Sequence, residues 1–454
     1  LSDANKRVIV VNVPMTYPPE PVRGALVSGM PVPANRKDFT YPPQLAQEIL
    51  EWLPDYGINA TSVYIRGKAD DFLRDIREKL NQRLTVAERL IERENPDFAM
   101  VHILGTDRIQ HEFWHCMDET HPEHKGEAVL YKNAILDFYR EIDSQLARLL
   151  RFVDDDTTVM VISDHGFGAL HKFVYLNTWL LEQGYLVLKR SAMTTFKRLA
   201  FKFGFSPTNI YRLVSLMGLG GMRGGMDMGR RQQLLDTLFL SFRDVDWSRT
   251  QAYARGNFGQ IYLNVAGREP EGIIQPGVAY ERVSSEIIER LLSTLRDPKT
   301  GALLVERAER REALFNGELL HRAPDIAVFM KDETYVALGT ADFPASTVAS
   351  KAIGNTGDHR YNGIFLMHGR GIKPGNLDKA SLMDVASTVL HLLDVPVPDD
   401  MDGRVILSGL TADLQKIEYA EITGRGVEST QMESDYTPEE EAEILQHLQD
   451  LGYL

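Results

Sequence analysis

Apolar residues fall in short runs along the chain, and the runs alternate with stretches of helical spacing. VIVVNV (Val8–Val13), FAMVHIL (Phe98–Leu104) and TVMVIS (Thr158–Ser163) are apolar without regular alternation. That is the pattern of strands covered on both faces in a parallel sheet. Between them Phe72, Ile76 and Leu80 recur every four residues. Ile135, Phe138, Ile142, Leu146 and Leu149 keep a three-four spacing. Both series predict amphipathic helices with one buried stripe. Strand-like runs return at QIYLNV (Gln260–Val265), DIAVFM (Asp325–Met330) and GIFLMHG (Gly363–Gly369), and a helix is expected over Ser381–Leu393. Strand-helix alternation of this kind predicts an α/β domain.

The character changes near Lys189. KRSAMTTFKRLAFKFGF is both basic and apolar. It reads as an inserted cap packed on its own domain, with a membrane-surface helix as the lesser alternative; membrane contact is therefore not the expectation. MGLGGMRGGMDMGRR reads as a mobile loop, and no Gly-Lys-Ser/Thr follows its glycines, so it is not a phosphate loop. The tail TPEEEAEILQHLQDLGYL opens with a capping box, Thr437 as N-cap with Glu440 three residues on, and predicts a docked terminal helix. The expected divisions are 1–188 and 260–410 as two parts of one core, 189–259 as the inserted cap, and 411–454 as the tail.

Composition narrows the partners. The 454 residues carry a net charge of −14, which argues against a nucleic-acid polymer, since that needs a basic surface. A local basic patch for one small anion remains compatible with it. The single cysteine, Cys116, rules out an internal disulfide and favours a reducing, cytoplasmic location. No apolar run reaches the roughly 20 residues of a membrane span. Nothing in the sequence settles oligomeric state, which leaves room for a homo-oligomer.

Chemistry enters where strands end. Asp164 and His165 follow TVMVIS directly, and ligands of open α/β sheets bind at the carboxyl ends of strands. In the turn after a strand both side chains can converge on one ion, and Gly166 and Gly168 let that turn bend sharply. After FAMVHIL comes GTDRIQHEFWHCMD, where Asp107 and His111 are four apart and share a helix face. His115, a turn further, ranks lower because three stacked positions drift around the helix. His359 sits in GNTGDHRYNG, a Gly-rich loop before an apolar strand. Mixed carboxylate and imidazole sets suit Zn²⁺ or Mn²⁺. Taken jointly these residues make two metal sites: one of Asp107, His111 and His359, the other of Asp164 and His165, lacking at least one ligand. Two ions about 3.5–4 Å apart form a clamp for phosphoryl transfer.

Strand-Gly-Thr-Asp-x-x-x-His, then strand-Ser-Asp-His-Gly, then Gly-Asp-His before a strand, in that order, resembles the alkaline phosphatase superfamily. The nearest branch resembles the type I phosphodiesterase / nucleotide pyrophosphatase group, in particular its predicted phosphohydrolase-phosphomutase members. VNVPMTYPPEPVRGALVSGMPVP, SDHGFGALHKFVYLN, YLNVAGREPEGII and LLDVPVPDDMDGRVI also look like that branch. The resemblance implies a three-layer α/β/α sandwich with an inserted cap. It implies Asp107, His111 and His359 on one divalent ion and Asp164 and His165 on a second. Zinc is the expected metal and manganese the alternative. His171 and Lys172 are then candidates to contact the phosphate of a small-molecule substrate.

One element of the family pattern has no counterpart here. The family carries an early strand ending in an Asp that binds the second metal, followed by a Thr or Ser nucleophile at a helix start. Both precede the part that matches Val8–Pro33. Asp3 lies before the first strand, and Thr16 lies in the Pro-rich turn MTYPPE. The nucleophile is therefore expected upstream of Leu1. The function implied is metal-dependent hydrolysis of a phosphate ester, of phosphodiesterase or nucleotide pyrophosphatase type. The alternatives are phosphoglycerate-mutase-like phosphotransfer and a non-catalytic scaffold or assembly protein of the same fold. A sulfatase needs a Cys/Ser-x-Pro-x-Arg setting, which WHCMDE does not provide.

Overall fold

The computed structural model describes residues 1–33, 36–58, 64, 67–216, 236–377, 379–421, 436–437, 440–441 and 444–445. The Gly/Met-rich stretch and most of the C-terminal tail lie outside the described residues. Of the tail's expected capping box, both reciprocal bonds are present: Glu440 N donates to Thr437 Oγ1 (3.3 Å) and Thr437 N donates to the Glu440 carboxylate (2.9 Å). The chain divides into two compact units, one of Leu1–Met117, Lys125–Phe167 and His359–Leu451, the other of Asp118–His124, Gly168–Asp358 and Gly452–Leu454.

The first unit is built on a sheet in the order Thr40–Tyr41, Gly24–Val27, Val8–Val11, Phe98–Val101. Val8–Val11 runs parallel to both neighbours, pairing Val8 with Gly24 and with Phe98. Gly24 is required there: its φ is +134°, and a Cβ would stand 2.1 Å from the Val8 carbonyl oxygen. The long helix Ala69–Glu94 serves two cores. Its later residues Val86, Ala87 and Leu90 cover Ile9, Val11, Ala25 and Val27 of the sheet. Its earlier residues Phe72, Ile76 and Leu80, the stripe expected from spacing, bury against Ile109 and Phe113 of helix Gly105–Met117 and Phe138 of helix Ala134–Leu150.

Val159–Ile162, also read as a strand of a parallel sheet, pairs antiparallel with Phe365–His368, Ile162 opposite Phe365. An unalternated apolar run carries no information on strand direction, so the sequence could not distinguish the two. The helix after it spans Leu382–Leu392, and Ser381 and Asp384 form its capping box.

The second unit holds an antiparallel sheet in the order Val305–Arg310, Ile326–Met330, Gln260–Leu263, Ala252–Ala254, and a three-stranded sheet of Tyr335–Leu338, Lys172–Tyr175 and Ala349–Lys351. Its core gathers Trp179, Leu180, Ile261, Leu263, Ile287 and Ile326. Asp325 is fully buried among these strands and is held by Arg268, Arg311, Tyr280 Oη (3.0 Å) and Leu263 N (2.7 Å). Among the described residues no helix is long and apolar enough to cross a membrane.

Candidate metal centre

Three segments of the first unit meet at the carboxyl ends of two strands. Phe98–Val101 leads through His102 and Leu104 into helix Gly105–Met117, whose first turn carries Asp107. Gly105 lets the helix start against the Phe138 ring, which a Cβ would meet at 2.5 Å. One turn on, His111 presents Nε2 at 3.5 Å from Asp107 Oδ1. Val159–Ile162 leads to Asp164 and His165. The loop behind His359 is stitched to that turn. Ser163 N donates to the Ile364 carbonyl (3.0 Å), and Ile364 N donates back to Ser163 Oγ (2.7 Å). Gly166 allows the approach, since a Cβ there would lie 2.0 Å from the Asn362 carbonyl oxygen.

The stitching brings His359 onto His165, with ring centroids 3.7 Å apart and planes 27° from parallel. His359 Nε2 is 3.0 Å from both Asp107 Oδ1 and His111 Nε2. His165 Nε2 is 3.8 Å from the same Asp107 oxygen. Phe167 sets its edge against the rings of His111 and His359, and Trp114 stacks on Phe167. Asp164 sits outside this nest: its side chain is 64% exposed, Oδ1 accepts the His165 backbone N–H (3.0 Å), and Oδ2 is 3.5 Å from His165 Nε2.

The donor chemistry fits a cation. His165 Nδ1–H donates to the Gly166 carbonyl (3.0 Å), which leaves Nε2 as a lone pair aimed inward. That Nε2 and Asp107 Oδ2 are buried without a hydrogen-bond partner. Burial pushes the Asp107 carboxyl up, but hydrogen bonds from His111 and His359 outweigh it and hold the group well below the usual carboxylate range. A tetrahedral ion bound at about 2.1 Å has donor-donor edges of about 3.4 Å, and the spacings of 3.0 to 3.8 Å here bracket that value. Two triples, Asp107 with His165 and His359 and His111 with Asp358 and His359, each place three ligand atoms within 4.8 Å of one another. His165 of the second expected set thus joins Asp107, His111 and His359 in one cluster around Asp107 Oδ1, while Asp164 stays at its edge.

Other expected residues are engaged elsewhere. The His115 ring lies 3.7 Å from Cys116 Sγ. His171 and Lys172 belong to the second unit, where the Lys172 ammonium pairs with buried Asp297 (2.5 Å) and lies over the Tyr335 ring, and His171 stacks edge-on with His121.

Sequence reasoning missed the support beneath the cluster. His102 is the one polar residue in FAMVHIL, and that break in an apolar run was the available signal. Burial, reinforced by the Arg83 charge, pushes its imidazole down to about 4. Arg83 is itself buried and donates to the His102 carbonyl (2.9 Å), to Asn12 Oδ1 (3.0 Å) and to the Ile58 carbonyl (2.8 Å). Asn12 also accepts the Tyr56 hydroxyl (2.8 Å) and adopts a left-handed φ of +56° just past its strand. This network ties together the ends of Val8–Val11 and Phe98–Val101.

The profile of the type I phosphodiesterase / nucleotide pyrophosphatase family matches residues 1–361. The chain belongs to this family. Family membership places it in the alkaline phosphatase superfamily, and the matched stretch contains Asp107, His111, Asp164, His165, His171, Lys172 and His359. Two solved structures of phosphonoacetate hydrolase from Sinorhizobium meliloti 1021, in complex with phosphonoformate and with phosphonoacetate, are similar at 15% identity with TM-scores of 0.29 and 0.31. Each match covers 66% of this family member and 54% of that chain, so it spans about half the hydrolase's length. No curated protein matches.

Proposed function

We propose that the chain is a metal-dependent hydrolase of phosphate esters, of phosphodiesterase or nucleotide pyrophosphatase type. One observation carries the reading: Nε2 atoms of His111, His165 and His359 converge on Asp107 Oδ1 with two polar atoms of the cluster buried and unsatisfied. In this reading Asp107, His111 and His359 hold one divalent ion and Asp164 and His165 help hold a second, zinc first and manganese second. Bound ions supply positive charge against the charge that develops on a phosphoryl group. The chain's own residues prepare the place. Asp107 is kept ionised, the Gly166 carbonyl fixes the His165 tautomer, and Phe167, backed by Trp114, packs against the His111 and His359 rings.

The attacking group in this reading is a Thr or Ser hydroxyl carried upstream of Leu1, as the family resemblance implies. Support for one more strand comes from sheet edges. Among the described residues Phe98–Val101 is bonded only to Val8–Val11, and Val159–Ile162 only to Phe365–His368. Met100, Val161 and Leu366 on these strands are exposed large apolar side chains. Both strands run into the cluster, so a strand laid between them would deliver its end there. Thr16 does not serve: its hydroxyl donates to the Val13 carbonyl (2.7 Å) and accepts from Gly29 N (3.0 Å). His171 and Lys172 enter as candidate phosphate contacts, for which Lys172 would exchange Asp297 for the substrate.

Metal analysis beside assays on nitrophenyl mono- and diesters, run on protein that carries the upstream nucleophile segment, tests the proposal. Two ions per chain with ester hydrolysis, abolished in a folded Asp164→Asn variant, is the expected result. One ion or none, with no turnover of any ester, would favour the scaffold reading. Intramolecular phosphoryl transfer without hydrolysis would favour the mutase-like one.

A further inference from the structure

The helix Ala192–Lys202 of the second unit is oriented against the usual preference. Lys197 is only 8% exposed, while its neighbour Phe196 is 69% exposed. At 100° per residue the helix has three faces. Thr194, Lys197 and Phe201 form the packed face, and polar bonds lock it. Lys197 Nζ reaches Asp244 Oδ2 (3.0 Å) and the Asp236 carbonyl (2.6 Å), Thr194 Oγ1 donates to Asp244 Oδ1 (2.9 Å), and Ser191 caps the helix by accepting Thr194 N (3.0 Å). Met193 (62% exposed), Phe196, Leu199 (56%) and, just past the end, Phe203 (85%) share the next arc and stand in water. Arg198 and Lys202, both exposed, line the arc beyond, and exposed Arg190 precedes the helix. Rotating the helix to bury the aromatic arc would break the Lys197–Asp244 pair inside the protein, so the outward apolar face is built in.

Isolated exposed apolar residues are ordinary, but a continuous arc of large ones marks a contact surface. We propose that this helix docks on an anionic lipid surface, lying in the interface with Met193, Phe196, Leu199 and Phe203 inserted and Arg198 and Lys202 at the headgroups. Charge decides the occupant. The exposed Arg190, Arg198 and Lys202 beside the apolar arc attract anionic headgroups within a Debye length, against the chain's overall charge of −14, whereas a second copy packed face to face would set Arg198 and Lys202 against their like.

The test is co-sedimentation of the full chain with phosphatidylcholine vesicles, with and without about one third phosphatidylglycerol. The chain should sediment with the anionic vesicles, far less with the neutral ones, and be released by salt. Phe196→Ser with Phe203→Ser should lower partitioning at least about 10-fold. Arg198→Glu with Lys202→Glu should lower it roughly 30-fold on anionic vesicles. Both variants leave the Lys197–Asp244 pair intact and should keep wild-type circular dichroism. Failure to bind anionic vesicles, or equal partitioning onto both lipids, overturns the proposal. So does a wild-type dimer that Phe196→Ser disperses, which would make a second copy the occupant.

Discussion

Replacing Asp107 by Asn probes the centre most directly, because Asp107 Oδ1 is the atom all three imidazoles face. A ligand that binds only the folded state stabilises it by RT ln(1 + [L]/Kd), about 2.7 kcal/mol at a hundredfold excess over Kd. For a cooperative unit of roughly 250 residues, the size of the first unit, each kcal/mol moves Tm by about 2–4 °C. Zinc at that excess should therefore raise the Tm of chelator-treated wild type by about 5–11 °C. Asn keeps the shape but removes the negative charge and offers one acceptor oxygen where the carboxylate offered two. If affinity falls about a hundredfold, the same zinc concentration equals Kd and stabilises by only about 0.4 kcal/mol, a shift of about 1 °C. The assay is a thermal melt followed by circular dichroism with and without zinc, with bound metal measured on the same samples. A full zinc shift in Asp107→Asn, or no shift in wild type, would refute the reasoning, since either means the convergent donors do not bind the ion.

Further perturbations test the surrounding structure. Arg83→Met should cost about 2–4 kcal/mol in urea melts, because the His102 and Ile58 carbonyls lose a buried donor; a loss under about 0.5 kcal/mol would mean water replaces the guanidinium freely. The metal-free protein should lose stability as pH falls from about 6.5 to about 4. Unfolded His102 titrates near 6.5 and the folded ring near 4, so the unfolded state binds the extra proton in that window and stability rises with pH across it, by up to about 3 kcal/mol. His102→Gln should flatten that part of the profile, and an unchanged slope would remove His102 as its source. Asp325→Ala should destabilise the second unit by about 3–5 kcal/mol, because Arg268 and Arg311 lose their buried carboxylate. Trp179→Ala, which empties a fully buried ring site, should cost about 3–5 kcal/mol in the same melts.

What the sequence made legible is what depends on local spacing. Asp107 and His111 share a face because four residues make one helical turn, and that holds wherever the helix sits. Thr437 with Glu440 is a cap for the same reason. His359 is different. It lies not in a loop but on the short strand Gly357–Arg360, and nothing local to that strand aims it at His165; the Ser163–Ile364 bonds and the gap left by Gly166 do, across some two hundred residues of chain. The sequence could group His359 with Asp107 and His111 only through the joint pattern of motifs, and the folded chain brings His165 of the second expected set beside the same Asp107 oxygen. Arg83 and Lys197 were hidden by a rule that usually works, namely that a charged position on an amphipathic helix faces water. Each breaks the rule where a specific acceptor is buried nearby: the carbonyls of His102 and Ile58 for Arg83, the Asp244 carboxylate for Lys197. A buried charge needs a partner that only the tertiary fold supplies, so its position cannot be read from periodicity. The same logic explains Phe196. Once Asp244 claims Lys197, the helix has no rotation left that hides its aromatic arc, and the exposed face follows from the buried ion pair.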